Sequence, residues 1–222
     1  MINMIFRTFI IVALYAATTT SISFAQSGAA ELIKSGNAKV ANNDYKGALN
    51  DYNKAIALSR SPICYYDRGD IKQMMGDNKG AKLDFDSAII LKPNYAEAYC
   101  NRGISKEELK DYTGAIKDYN KALELKPNNS LIYFNRAIAK DSSKDFKGVL
   151  EDCNNAIKFN KDYAEAYNNR GVLKYEEFND NEGALNDFNK AIFVQAGFPT
   201  CLFCFLQLKP ESGSAVKKFV KE

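Results

Sequence analysis

A chain of 222 residues, 46% of them hydrophobic, carries enough apolar material for one domain with a sizeable core. The net charge is +3, and between the N-terminal leader and Gln195 the two signs balance, which excludes the broad basic field that nucleic-acid binding needs. The chain has no histidine, hence neither the usual general base near neutral pH nor the commonest metal ligand; no catalytic residue, no metal site and no cofactor are expected.

Residues 1–25 read as a secretory signal peptide. Arg7 gives the positive start, Phe9 to Ala17 form a short apolar stretch, and Ser23-Phe24-Ala25 place small residues where a signal peptidase reads, with the cut after Ala25. The apolar run falls short of the roughly 20 residues that span a bilayer. The mature chain is therefore expected in a periplasm, at the cell envelope or outside the cell.

Five segments with one internal plan follow. Each contains a stretch like NDYKGALNDYNKAIAL, which starts at Asn43, and the alanines Ala55, Ala88, Ala122, Ala156 and Ala191 recur at intervals of 33, 34, 34 and 35 residues. A period near 34 marks stacked supersecondary units, here about 29–61, 62–95, 96–129, 130–163 and 164–198, within a repeat domain over 26–195. In each repeat a first helix carries a small central residue: Gly36, Gly69, Gly103, Ala137 or Gly171. In the last four an aromatic sits four residues earlier, at Tyr65, Tyr99, Tyr133 and Tyr167. A second, amphipathic helix starts at Asp44, Asp77, Asp111, Asp145 or Asp180, each able to cap free backbone N–H groups. A glycine stands three residues past each of these aspartates, and its recurrence predicts close approach of the partner helix. Turns fall at Ser61-Pro62, Lys92-Pro93-Asn94, Lys126-Pro127-Asn128 and Asn160-Lys161-Asp162.

The third repeat presents Tyr99, Gly103, Ala115, Tyr119, Ala122 and Pro127, and the second Tyr65, Gly69, Ala81, Phe85, Ala88 and Pro93. At these positions the pattern resembles the tetratricopeptide repeat family. The fourth repeat departs at Val149 and Cys153 and lacks the proline; the fifth has one extra residue between Gly171 and Asp180. One hairpin cannot cover its own apolar face, so the repeats must stack. The resemblance implies an all-α solenoid of five helix-turn-helix repeats in a right-handed superhelix, whose concave surface, lined by the first helices, grips a peptide or a segment of another protein.

Five offsets from the central small residue share one face of each first helix, the face that lines the groove in the family. On it the second repeat places Tyr66 and Asp70, the third Glu97, Ile104, Glu107 and Glu108, the fourth Phe134, Ile138 and Asp141, and the fifth Glu165, Val172 and Glu176. Every charge is acidic and no Lys or Arg appears. An acidic groove floored by Ile104, Phe134, Ile138 and Val172 would take a partner segment with Lys or Arg and hydrophobic anchors. A family variant that clamps a C-terminal carboxylate is disfavoured, since it needs basic groove residues.

Arg68, Arg102, Arg136 and Arg170 precede the small residue, and Asp51, Asp84, Asp118, Asp152 and Asp187 recur on the second helices. The expected pairing joins Asp of one repeat to Arg of the next, Asp51 with Arg68 and so on, leaving Asp187 over and fixing repeat-to-repeat register. Beyond Gln195, an apolar stretch to Leu208 and a polar end form a tail expected to cap the last repeat. The alternatives are a degenerate or truncated sixth repeat, an apolar patch for a partner or membrane, or a role for the whole chain as an accessory subunit of an envelope assembly docked through this tail. Cys201 and Cys204 within it lack the further ligands zinc needs. A hydrolase is disfavoured: there is no histidine, no G-x-S-x-G and no phosphate-binding glycine loop.

Overall fold

The computed structural model describes residues 24–196; most of the expected leader, and the tail beyond 196 with Cys201 and Cys204, lie outside them. The described residues form ten α-helices and no strand: α1 (24–41), α2 (Tyr45–Leu58), α3 (Pro62–Met74), α4 (Asn78–Leu91), α5 (Ala96–Glu108), α6 (Tyr112–Leu125), α7 (Ser130–Ser142), α8 (Phe146–Phe159), α9 (Ala164–Glu176) and α10 (Asn181–Ala196). No helix among the described residues is long and apolar enough to cross a membrane. The chain divides into two compact units, Met1–Ser105 and Lys106–Glu222, as expected where packing joins mainly sequence neighbours. In the first, α2 packs on α3 and α3 on α4; in the second, α6 to α10 pack in chain order.

The hairpin turns share one construction. Each capping aspartate accepts a hydrogen bond from the glycine N–H three residues on, at 2.9 Å for Asp44, Asp77 and Asp180, 3.0 Å for Asp111 and 3.1 Å for Asp145. The residue before each cap lies in the left-handed region, with φ between 51° at Asn179 and 81° at Gly76. The cap N–H of Asp145 donates to the Lys140 carbonyl five residues back, and Asp44, Asp77 and Asp111 do the same. Asp180 instead reaches Lys174, six residues back, at 2.9 Å. The extra residue of the fifth repeat is thus absorbed in the turn.

The glycines past the caps have another cause than the expected helix contact. A Cβ at Gly47, Gly80, Gly114 or Gly183 would fall on the carboxylate of the capping aspartate itself; at Gly148 it would also crowd Lys140. Close approach of the partner helix governs the central small residue instead. A Cβ at Gly36 would lie 2.8 Å from the Tyr52 ring, at Gly69 2.9 Å from Phe85, and at Gly171 2.8 Å from Phe188. In the α7/α8 hairpin both ends of this contact change: Ala137 and Cys153 share a buried cluster with Val149 and Leu173.

The recurring aspartates are buried, and their partners correct the expected pairing. Arg68 clasps Asp84 of its own hairpin, with Nε–Oδ2 at 2.9 Å and Nη2–Oδ1 at 2.5 Å. Arg136 holds Asp152, and Arg170 holds Asp187, in the same two-pronged way. Asp187 is therefore not left over, and Asp51 pairs with Lys39 and Ser35 rather than with Arg68. The link to the preceding hairpin runs through the third guanidinium nitrogen: Arg68 to Asn53, Arg136 to Asn120 and Arg170 to Asn154, each at 2.6 Å, and Arg102 to Asp86 at 2.7 Å. A lysine four residues past each arginine completes the set, Lys72 on Asp84, Lys106 on Asp118, Lys140 on Asp152 and Lys174 on Asp187. The recurring Tyr65, Tyr99, Tyr133 and Tyr167 rings lie under these guanidinium groups at 5.3 to 5.6 Å.

Candidate partner-binding face

This clasp decides the electrostatics of the first helices. Every Lys and Arg of α3, α5, α7 and α9 (Arg68, Lys72, Arg102, Lys106, Arg136, Lys140, Arg170 and Lys174) is ion-paired with a second-helix aspartate. Asp67, Asp70, Glu107, Glu108, Asp141, Glu165 and Glu176 of the same helices make no ion pair among the described residues. Positive charge is drawn inward along one helix face, and negative charge stays on another.

In the first compact unit, Tyr66 and Asp70 of α3 meet α5 through Asn101, whose Nδ2 donates to the Tyr66 hydroxyl and to Asp70 Oδ1, both at 3.1 Å. Gln73 ties the same helices by donating to the Asn101 carbonyl and to Ser105 Oγ at 3.0 Å. The Tyr66 ring lies 5.0 Å from Tyr95 and 5.8 Å from Phe85. Burial raises the Asp70 carboxyl above its ordinary range. Burial first, and Asp70 second, push Asp67 up to about 6. Glu97 stands in the first turn of α5 and Ile104 is half-buried on that helix.

In the second unit, Glu107 accepts the Tyr119 hydroxyl at 3.1 Å; burial raises its carboxyl against that bond, with Glu108 adding to the rise. Glu108 is exposed. Phe134 of α7 packs on Tyr163, ring centroids 4.9 Å apart, and Glu165 is exposed in the first turn of α9. Ile138, Asp141, Val172 and Glu176 come together. With Ala137, Phe146, Val149, Asn169, Leu173 and Glu177 they line a pocket of about 200 Å³ between α7, α8 and α9. Sequence reasoning missed Asn101 and Asn169, which stand two residues before the central glycines, and Glu177 at the end of α9. Cys64, Cys100 and Cys153 are buried thiols, and burial pushes Cys153 up to about 12, which keeps it in the thiol form near neutral pH.

Helical hairpins of repeated design, with a small residue packed on a ring and an aspartate cap, define an all-α helical-repeat protein. Residues 96–129, the third repeat, match the family model described as tetratricopeptide repeat. A search of curated protein sequences gave no significant match. Among solved structures, MamA 41-end from Desulfovibrio magneticus RS-1 resembles the chain with TM-score 0.71 at 17% identity, over 78% of this chain and 98% of that one. YrrB, described as a TPR protein with an unusual peptide-binding site, gives TM-score 0.65 at 23% identity, over 80% of this chain and 92% of that one. The first TPR of Spaghetti (RPAP3), bound to the HSP90 peptide SRMEEVD, gives TM-score 0.53 at 25% identity, over 54% of this chain and 96% of that one. The family match is confined to the third repeat, and these neighbours share the all-α helical-repeat fold of the chain.

Proposed function

We propose that the chain is a non-enzymatic scaffold that binds a segment of another protein on its first-helix faces. The observation that carries this reading is the separation of charge: the cations of α3, α5, α7 and α9 are paired with second-helix aspartates, while Asp70, Glu107, Asp141 and Glu176 make no ion pair among the described residues, and Asp141 and Glu176 share a lining with apolar side chains. Such a face attracts a partner with Lys or Arg and a few hydrophobic anchors, and screening by salt weakens it. The YrrB and Spaghetti descriptions, a peptide-binding site and a bound peptide, support a peptide or protein partner in general terms. Peptide arrays probed at rising salt test the reading. Basic peptides with apolar residues should bind best and lose affinity with salt; equal or better binding of acidic peptides would refute it. We further propose that the chain works outside the cytoplasm, on the strength of residues 1–25. N-terminal sequencing of the exported protein should begin at Gln26.

A further inference from the structure

The pocket between α7, α8 and α9 coincides with a change in the repeat. In the first hairpin the Tyr52 ring covers Gly36 and its hydroxyl reaches Asn37, one residue past the central glycine, at 2.6 Å. In the second unit Tyr119 sends its hydroxyl to Glu107. In the fourth repeat the equivalents of Asn37 and Glu107 are Ile138 and Asp141, and both line the pocket. The residue equivalent to those tyrosines is Cys153, whose short side chain ends far below the reach of a phenol. Ala137 stands where the other rings need glycine, so the two substitutions belong together.

We infer that this pocket is a receptor for one apolar side chain, leucine-sized or aromatic, of a partner segment that carries Lys or Arg next to that anchor. The inference rests on the scaffold reading above and sharpens it. At about 200 Å³ the pocket has room for one such side chain. Val149, Val172 and Leu173 supply apolar walls, and Asp141 and Glu176 bring acid to the lining. The nearest cations on the same helices, Lys140 and Lys174, are turned away onto Asp152 and Asp187. The charge complementarity therefore selects a basic neighbour for the anchor. Filling the hole from within should abolish anchoring while leaving the outward carboxylates in place.

The experiment compares the chain with the double variant A137G/C153Y, which installs the arrangement of the other hairpins, and with Val172→Phe, which fills the pocket from α9. Circular dichroism and thermal unfolding check the fold of each. The probes are fluorescent peptides with a Lys-Leu-Lys core, the same peptide with Leu→Ala, and one with both Lys→Glu. The proposal expects Lys-Leu-Lys to bind at least tenfold tighter than its alanine version. It also expects that advantage to vanish in either folded variant, while the weaker, salt-sensitive binding of the alanine peptide persists. Equal affinity of the leucine and alanine peptides, with basic still preferred over acidic, would overturn the pocket assignment and leave the scaffold reading standing. No preference for basic over acidic peptides would overturn both.

Discussion

The α7/α8 and α9/α10 hairpins keep the same electrostatic clasp and differ in how they fill the space above it. Arg170, Lys174 and Asp187 match Arg136, Lys140 and Asp152 within a tenth of an ångström. Yet Phe188 covers Gly171, whereas Cys153 lies near Ala137 and a pocket opens beside it. Hairpin contact and the space beside it are therefore set by separate residues. The ion clasp ties the hairpins together, and the small-residue and ring pair sets how that space is filled.

The largest effect should come from breaking the part the two hairpins share. Asp152 is fully buried between Arg136 and Lys140. Asp152→Ala strands both cations and should destabilise by about 3–5 kcal/mol, and Asp187→Ala by a similar amount, read by denaturant unfolding. Next comes the part in which they differ. Gly171→Ala drives a Cβ into the Phe188 ring and should cost about 1–3 kcal/mol, whereas in a Phe188→Cys background, itself destabilised by the lost ring, the same change should cost little. A non-additive double-mutant cycle is the expected result.

A smaller effect tests the turns. Asp145→Ala removes the hydrogen bond to the Gly148 N–H and should cost about 1 kcal/mol, with Asp180→Ala equivalent in the other hairpin. The smallest effect lies away from these two hairpins, in the first unit, and is read through pH. Burial pushes Asp67 up to about 6 from the ordinary 3.8, so its contribution is complete below pH 3.8 and is lost as pH rises through 6. Asp67→Asn should therefore leave stability unchanged at pH 4 and raise it above pH 6, by under about 1 kcal/mol after solvent screening. Thermal melts at the two pH values read the difference. Asp51, held down by Lys39 and Ser35, has the opposite sign: its contribution is present above pH 4 and is lost as pH falls further.

The helices, their caps and the third repeat were legible because spacing and cap chemistry are local: Asp111 and Gly114 sit within one turn, and Ala115, Tyr119 and Ala122 mark one face. The aspartate–arginine pairing was not, and the reason is geometric. Arg68 lies 17 residues after Asp51 and 16 before Asp84, so sequence separation cannot choose between the hairpins. Packing chooses, and the adjacent hairpin is reached through Asn53 instead. On the candidate face, the acidic character followed from helical offsets, and Ile138, Asp141, Val172 and Glu176 did come together. Asn101 and Asn169 escaped notice because the offsets that define that face omit the position two before the small residue, where both asparagines stand. Cys153 stood out in the pattern, but the pocket beside its cluster is built from α7, α8 and α9 together, which no local spacing reveals.

The turn between α9 and α10 holds one residue more than the others, yet Arg170 grips Asp187 as Arg136 grips Asp152. Added length is taken up ahead of the cap and is not passed on to the helices. That makes the four-residue link from 177 to 180 a natural splice point. A reporter loop or affinity tag inserted there should leave the clasps and the α7/α8/α9 pocket as they are, whereas the same insertion inside α8 would shift Asp152 away from Arg136.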